Sequence, residues 1–393
     1  MLKRFGFILL IASFVLPTFA QDAVMTANFT DECVTDYDAS VDYFPEKAEI
    51  EYAEGFTVEY FDNYKVVTIV PWVGAEETRT YILVQCGTDA PVDMEADAVV
   101  TVPVERVVTL STTILPHIVS QDLLDHLVGV DTLAFTSTPE ILDLSDEIAE
   151  VGSGFSGFNL EVLLEIEPDL IMGQQFFSGD TAFEPISETG LAVVLNSDFA
   201  DTSPLAAAEW GKYLSLFFNT EALANEAFEA VETDYNDLVD LASTAETQPT
   251  VIAATPYQGS WFMPAGDSTV AQLITDAGGD FLFSDLEGTS VVLSLEEVLE
   301  QGGSAEYWVN LNQMWLTVDE MLADDERYSE FDAFENGNVW NNNLAQNEMG
   351  GNDYFETGFT NPNLILADLI AILHPELLPD HEFNLYRPLT EAE

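Results

Sequence analysis

Two stretches decide the fold: V-P-V-E-R-V-V-T-L-S, from Val102 to Ser111, and N-L-E-V-L-L-E-I-E-P-D-L-I-M-G, from Asn159 to Gly173. The β-branched run in the first stretch, ending in hydroxyl side chains, is typical of a buried parallel strand that opens into a loop. In the second, apolar residues recur on one helical face until Pro168 ends the helix, and another strand begins at Asp169. This order of elements predicts a doubly wound α/β lobe.

The regions around these stretches divide the chain into five segments. Residues 1–20 combine a basic start, an apolar run and a small-residue cleavage site, which predicts a signal peptide. Residues 21–100 predict a β-rich N-terminal extension of antiparallel hairpins. Lobe 1 takes residues 101–215, and an apolar stripe predicts a long connecting helix within 216–248. Lobe 2 takes residues 249–393, where the strand and helix rhythm restarts. The short strand-like runs of the extension are Ala48–Tyr52, Phe56–Phe61, Val66–Val70 and Arg79–Val84.

The expected fold class is therefore α/β, with two Rossmann-like lobes joined by one long helix and preceded by a small all-β extension. The apolar run of the leader is too short to span a bilayer, which needs about 20 residues. We expect the leader to be cleaved and the mature chain to be periplasmic or extracellular. No Cys stands at the cleavage site, so we expect no lipid anchor.

The charge of the chain is extreme, because nine Lys and Arg stand against 71 Asp and Glu, a formal net charge of −62. Nucleic acids and anionic membrane surfaces are excluded as partners, since both require a basic face. The acids either solvate the surface or bind cations. Because they are dispersed and form no ligand-spaced cluster, we expect solvation.

The chain has two cysteines, Cys33 and Cys86. In an exported protein we expect them to form one disulfide, and two separate buried thiols are the alternative. Closing a loop of this length stabilises the fold by about 4 kcal/mol in the chain-entropy model.

The two opening stretches, with D-H-L-V-G-V from Asp125 to Val130 between them, resemble a known family. They are similar to the substrate-binding proteins of ABC importers, in the class III, helical-backbone family that carries ferric siderophores, haem and vitamin B12. The resemblance covers roughly residues 100 to 380. It implies a ligand held between two lobes, and a permease and an ATPase as partners.

The resemblance also implies that one acid on each lobe contacts the permease. The first-lobe acid belongs to the N-L-E motif and corresponds to Glu161. The second usually precedes a Gly-Gly turn, where this chain has Thr275, and Asp276 is the nearest substitute. That departure leaves the second contact open.

The ligand is expected at the carboxyl ends of the strands, because loops from both lobes converge there. Those loops combine aromatic rings with amides and hydroxyls, which suits a large, partly apolar ligand. Core packing is the alternative for each ring. Tyr257 and Trp261 are the strongest candidates, because Gly259 and Pro264 are expected to keep their segment out of regular structure. The candidate ligand-binding residues are Thr112, His117, Phe155, Phe158, Gln174, Tyr257, Trp261, Trp315, Trp340 and Tyr354.

Other functions have less support in the sequence. A metal site needs three or more converging ligands, and of the four histidines only His117 lies on a predicted site loop. The sequence has no G-x-S-x-G, H-E-x-x-H or Cys–His motif, so we expect no catalytic residue and no cofactor. The leading interpretation is a monomeric binding protein that delivers an iron-siderophore, cobalamin or haem-like chelate to an ABC importer. The alternatives are a free metal-ion carrier, an exported enzyme and a structural surface protein.

Overall fold

The computed structural model describes residues 25–391 except 155, 156, 254 and 258. The predicted signal peptide and the candidate Phe155 lie outside the described residues. Across the described ranges, no helix is both long and apolar enough to cross a membrane.

The N-terminal extension is a four-stranded sheet. Its first three strands pair antiparallel, as the hairpin signals predict, and the fourth pairs parallel with the third. Residues 48–52 form no strand, because the backbone N–H groups of Glu51, Tyr52 and Ala53 donate to the buried carboxylate of Glu209. The strands are β1 Phe56–Tyr60, β2 Tyr64–Ile69, β3 Arg79–Gln85 and β4 Ala98–Val102.

Lobe 1 is built on a five-stranded parallel sheet of order β11-β10-β5-β6-β7. A small hairpin, β8–β9, stands beyond the strand ends. The strands are β5 Val107–Thr109, β6 Leu127–Val130, β7 Ala149–Glu150, β8 Gly152–Ser153, β9 Gly157–Phe158, β10 Leu170–Gly173 and β11 Val193–Leu195. The helices are α1 Leu115–Ser120, α2 Pro139–Asp143, α3 Leu160–Ile166 and α4 Glu184–Ser187.

Two consecutive helices connect the lobes. The predicted connecting helix is α6, Glu221–Ala242, which lies inside the expected range. It is preceded by α5, Pro204–Phe218, all of whose residues are buried. Asn219, in the left-handed region at φ 59°, ends α5 and turns the chain into α6.

Lobe 2 repeats the parallel arrangement and adds a second sheet. The main sheet has the order β15-β12-β17-β18-β19, parallel except for β19, and β13-β14-β16 form an antiparallel sheet. The strands are β12 Thr250–Ala253, β13 Thr255–Tyr257, β14 Ser260–Pro264, β15 Asp280–Phe281, β16 Ser290–Ser294, β17 Tyr307–Val309, β18 Val339–Asn341 and β19 Arg387–Pro388. The helices are α7 Thr269–Asp276, α8 Leu295–Gly302, α9 Val318–Asp324, α10 Asp332–Glu335, α11 Thr357–Thr360 and α12 Pro362–Leu373.

The extension and lobe 1 share one hydrophobic core. Phe56 of β1 packs on Trp210 and Tyr213 of α5, with ring centroids 4.9 and 5.3 Å apart. Tyr81 of β3 accepts the backbone N–H of Leu195 in β11 over 3.0 Å. The predicted class, an α/β fold of two lobes with a β-rich extension, is confirmed. The extension is packed as part of lobe 1.

Candidate functional site

The lobe 1 cavity opens at the carboxyl ends of three parallel strands. It has a volume of about 410 Å³ and lies beyond β5, β6 and β10. Ligands of open α/β sheets bind at this edge, because the loops after neighbouring strands converge there. Its wall is largely aromatic. The side chains that shape it include Asp131, Phe135, Phe158, Gln174, Phe177 and Asp180.

The side chain of Gln174 is held by a buried carboxylate, Asp198. The Gln174 amide donates to Oδ1 of Asp198 over 3.0 Å, and the Thr113 hydroxyl donates to Oδ2 over 2.5 Å. Burial raises the pKa of Asp198, and these hydrogen bonds oppose the rise. Sequence reasoning missed Asp198. The polar run that ends the strand V-V-L-N-S-D was the signal that could have found it.

The lobe 2 cavity lies at the corresponding edge of the second lobe. It has a volume of about 440 Å³. The loops that follow β17 and β18 form one side, and the β13–β14 hairpin forms another. The side chains that shape it include Tyr257, Phe262, Asn312, Met314, Asn342 and Phe355.

Asparagine side chains fix the loops of this second wall. The amides of Asn341 and Asn343 both donate to the carbonyl of Trp315, each over 3.0 Å. The amide of Asn352 donates to the carbonyl of Asn342 over 3.0 Å. Buried hydrogen bonds of this kind hold a loop in one conformation. These hydrogen bonds therefore fix the shape of the lobe 2 wall.

Large apolar side chains remain exposed around both cavities. In lobe 1, Phe177 is 61% exposed and Phe135 is 52% exposed. In lobe 2, Met314 is 69% exposed and Tyr257 is 56% exposed. Exposed apolar groups gathered around a concavity are typical of a ligand-binding site. A ligand with planar or apolar faces can stack on these rings.

A buried glutamate joins the two lobes beside the cavities. Glu356 of lobe 2 accepts the backbone N–H groups of Ser137 over 2.8 Å and Thr138 over 2.7 Å, at the start of α2 in lobe 1. The Thr138 hydroxyl donates to the same carboxylate. Burial raises the pKa of Glu356, and these hydrogen bonds oppose the rise.

An asparagine strengthens the same inter-lobe contact. The Asn347 amide donates to the carbonyls of Ala134 and Thr136 over 3.1 and 3.0 Å. Phe135 of the lobe 1 cavity lies between these carbonyls, and Phe355 of the lobe 2 cavity adjoins Glu356. The two cavities therefore border one contact and form the two walls of an inter-lobe cleft.

Comparison with known proteins agrees with this architecture. Residues 107–341 match the model of the family described as periplasmic binding protein. The chain belongs to the periplasmic binding protein family. Its members, and the solved structures that share the fold, are exported binding proteins rather than enzymes. The interpretation as an exported enzyme is therefore set aside.

The relatives of this periplasmic binding protein are distant. An uncharacterised lipoprotein of Methanocaldococcus jannaschii is 28% identical over 245 residues, which are 61% of this chain and 56% of the relative. The chain thus spans just over half of that relative's length. A periplasmic haem binding protein from Pseudomonas aeruginosa is similar in structure, with a TM-score of 0.56, 16% identity and coverage of 74% and 100% of the two chains. A possible iron-binding periplasmic solute-binding protein from Staphylococcus epidermidis is similar in structure as well, with a TM-score of 0.55 and 13% identity. The match covers 69% of this chain and 99% of that protein. At these identities the solved structures show the shared fold.

Several of the candidate ligand-binding residues lie in the cleft walls. Phe158 and Gln174 line the lobe 1 cavity, and Tyr257 lines the lobe 2 cavity. Thr112 begins a short 3₁₀ segment and is the chain neighbour of Thr113 in the Asp198 network. Their role in binding stays a prediction.

The structure places His117 outside the cleft. Its ring lines a separate cavity of about 50 Å³ with side chains of α5 and α6. The ring approaches α5 so closely that a methyl group on Gly211 would lie 2.6 Å from its Nδ1. The expectation that His117 faces a ligand is corrected for this reason. The loop after β5 coils into α1 at once, which turns the imidazole toward the connecting helices.

Trp261 is also displaced from its predicted environment. The segment expected to be irregular contains strand β14, which pairs with β16. Successive side chains in a strand face opposite sides, so Trp261 enters the core and Phe262 faces the lobe 2 cavity. Trp261 is fully buried, and its ring stacks on Trp308 with centroids 5.1 Å apart. Phe262 is 46% exposed. It was not selected from the sequence, because S-W-F-M-P was expected to be irregular and not a strand whose side chains alternate between two faces.

The other three aromatic candidates pack against other side chains of lobe 2 and do not line the cleft. Trp315 is buried, and its Nε1 donates to Asp324 over 2.6 Å. Trp340 is half-buried against Phe383, with centroids 4.9 Å apart. Tyr354 is buried and accepts a hydrogen bond from the Asn310 amide over 3.2 Å. These rings occupy core positions, so they do not line either cavity.

The two predicted docking acids have different environments. Glu161 is exposed in the first turn of α3, and Asn159 caps that helix by accepting the Val162 N–H over 3.3 Å. Asp276 is half-buried at the end of α7, and it accepts the Tyr235 hydroxyl over 2.6 Å. Desolvation raises the pKa of Asp276. Asp276 is thus tied to the connecting helix, and Glu161 is open to a partner.

Two further expectations concern cysteines and metals. Cys33 and Cys86 are joined by a disulfide, which ties the start of the extension to the end of β3. Within the ranges that the structure describes, no three His, Cys, Asp or Glu side chains converge as a metal site.

Proposed function

We propose that this protein is an extracytoplasmic substrate-binding protein of an ABC importer. It captures an iron-siderophore, cobalamin or haem-like chelate in the inter-lobe cleft and delivers it to the permease, which works with its ATPase. The observation that supports this function is the cleft itself. Two cavities rich in exposed rings border the contact that Glu356 and Asn347 make between the lobes.

The chemistry of the walls suits a bulky chelate. Cavities of about 410 and 440 Å³ together match the size of a ligand larger than a free ion or an amino acid. Exposed rings stack on planar or apolar ligand surfaces, and Gln174 and Asn312 supply a few hydrogen-bonding groups. A free metal-ion carrier would need converging ligands, and no observation within the described residues favours that alternative.

Titration calorimetry tests the function with one cleft residue from each lobe. The ligands are a ferric hydroxamate, a ferric catecholate, haem and cobalamin. We expect one of them to bind, and Phe177→Ala and Tyr257→Ala each to weaken its binding by about 1–3 kcal/mol through the loss of stacking.

Tyr37→Ala is the matched control, because Tyr37 is 48% exposed on the extension and lies outside both cavities. It should bind as the unaltered protein does. Failure of all four ligands to bind, or equal affinity of the cleft and control variants, would contradict the proposed function.

Delivery is proposed to use Glu161. Its carboxylate stands at the positive end of a capped helix, where it offers a fixed negative group to an arginine of the permease. Glu161→Ala and Glu161→Gln should slow ligand uptake by cells that carry the whole importer while leaving ligand affinity unchanged. Glu165→Gln, at an exposed position of the same helix, is the control. Normal uptake by both Glu161 variants would mean that Glu161 only stabilises the start of its helix.

The proposed location is the periplasm or the cell exterior, with the chain acting as a monomer after removal of residues 1–20. N-terminal sequencing of the exported protein tests this, and a mature chain that keeps the leader would contradict it.

A further inference from the structure

Among the residues that the structure describes, no Lys or Arg side chain lines the inter-lobe cleft. Seven of the nine Lys and Arg of the chain lie in the described residues, and none of the seven lines either cavity. Lys65 of β2 and Lys212 of α5 are buried and bond to Glu221 and Glu209. Those two positive charges are neutralised outside both cavities.

The remaining five cations are held by acids or carbonyls, and one of them, Arg79, lines a neighbouring cavity that shares Asp180 and Phe183 with the lobe 1 cavity. The partners are Asp42 for Lys47, Glu77 and Asp97 for Arg79, the Ile166 carbonyl for Arg106, Asp325 and Glu296 for Arg327, and the Leu316 carbonyl for Arg387.

The histidines supply no positive charge to the cleft either. His117 is enclosed between helices, and burial lowers its pKa to about 4. His126 bonds to the Glu105 carbonyl, His374 to the Gly278 carbonyl and His381 to Asp368.

The charged groups that do line the cleft are carboxylates. Asp131 and Asp180 border the lobe 1 cavity, and the side chains lining the lobe 2 cavity are uncharged. An anionic ligand desolvated against carboxylates, with no cation to pair it, is penalised by both desolvation and repulsion. A neutral ligand avoids both penalties, and a cationic ligand is attracted.

We propose that the cleft selects chelates that are electrically neutral or positively charged and rejects anionic ones. This selection rests on the proposed function, since only a cleft that binds chelates can select among them. Neutral ferric hydroxamates and cobalamins fit the walls, whereas trianionic ferric tricatecholates and the carboxylate-bearing haem do not.

Calorimetric titration of the full chain at one fixed ionic strength tests the selection. The probes are a ferric trihydroxamate, a ferric tricatecholate and cyanocobalamin, of which only the tricatecholate is charged. We expect at least one neutral probe to bind, and the tricatecholate to bind about tenfold or more weakly than it.

A charge placed in the cleft sharpens the test. Met314→Arg adds a cation at an exposed position of the lobe 2 wall. It should raise the affinity for the tricatecholate, relative to the neutral probe, by about threefold or more. Val92→Arg makes the same charge change on the extension, where Val92 is 93% exposed, and should leave that ratio unchanged.

The outcomes separate the two proposals. Equal or tighter binding of the tricatecholate would overturn the charge selection and leave the proposed function standing. The charge selection would likewise be overturned if Met314→Arg and Val92→Arg gave the same ratio of tricatecholate affinity to neutral-probe affinity. Failure of all three probes to bind would overturn the charge selection, and failure of haem to bind as well would overturn the proposed function.

Discussion

His117 and Gly211 are in close contact, and the position of the His117 ring depends on the absence of a side chain at Gly211. The imidazole lies against Gly211, which has no side chain to displace it, and beside Ala208 and Phe228. Glycine inside a helix costs roughly 1 kcal/mol relative to alanine. Here it creates the space that lets α1 pack on α5. Because burial disfavours the protonated ring, its pKa falls from 6.5 to about 4.

This low pKa makes the stability of the fold depend on pH. Between pH 6.5 and 4 the unfolded chain binds a proton at His117 and the folded chain does not, so stability falls as the pH falls. In urea titrations, we expect the unaltered protein to lose up to about 3 kcal/mol more than His117→Gln across that range. The carboxylates titrate in both proteins and cancel in the comparison. Equal losses would mean that the imidazole is open to water.

Residues that line the cleft could be predicted from the sequence only where the local sequence pattern also decides which way the side chain faces. Tyr257 ends β13 and Gln174 follows β10, and both side chains line the cleft. Trp261 lies four positions after Tyr257, but a strand pairing that is invisible in the local sequence turned it into the core. Side-chain type therefore identified loops that border the cleft, and strand register decided which side chains face it.

Buried ion pairs attach the extension to the connecting helices. Lys65 of β2 is fully buried and bonds to Glu221, Asn219 and the Leu216 carbonyl. Its ammonium also lies 4.6 Å from the centroid of the Phe44 ring. On α5, Glu209 receives three successive backbone N–H groups of the extension. Each buried charge is thus paired, as low-dielectric surroundings require.

Replacing one member of the pair should cost far more than replacing an exposed equivalent. Lys65→Met leaves the Glu221 carboxylate buried and unpaired, so we expect a loss of about 3–5 kcal/mol in the free energy of unfolding. Adding Glu221→Gln should recover part of that loss. Lys47→Met, which breaks the exposed pair with Asp42, should cost less than about 1 kcal/mol. A Lys65→Met variant as stable as Lys47→Met would contradict the account of the extension as a core element.

The amphipathic helix α6 was predictable from the sequence, and the fully buried helix α5 was not. The apolar stripe predicted α6, the helix between the two lobes, and the strand predicted after Pro168 is β10. Helix α5 is buried on every side, so its sequence has no periodic contrast to detect. Its partners in the extension are far away in sequence, which also concealed the shared core.

At the scale of the whole molecule, a cleft lies between two lobes that are connected at two places. Helices α5 and α6 join the lobes on one side, and Glu356 and Asn347 fasten them beside the cavities. The extension stiffens lobe 1 from behind, through the core that it shares with α5. This arrangement favours small adjustments on binding over a wide closure.

Anomalous diffraction from crystals grown with a ferric hydroxamate or cobalamin tests the central claim most directly, because it locates the metal of the chelate. The account predicts one strong peak between Phe177 of lobe 1 and Tyr257 of lobe 2, with both lobes positioned as in the unliganded protein. A metal peak outside the cleft, for example in the groove beside the Cys33–Cys86 disulfide, would contradict it.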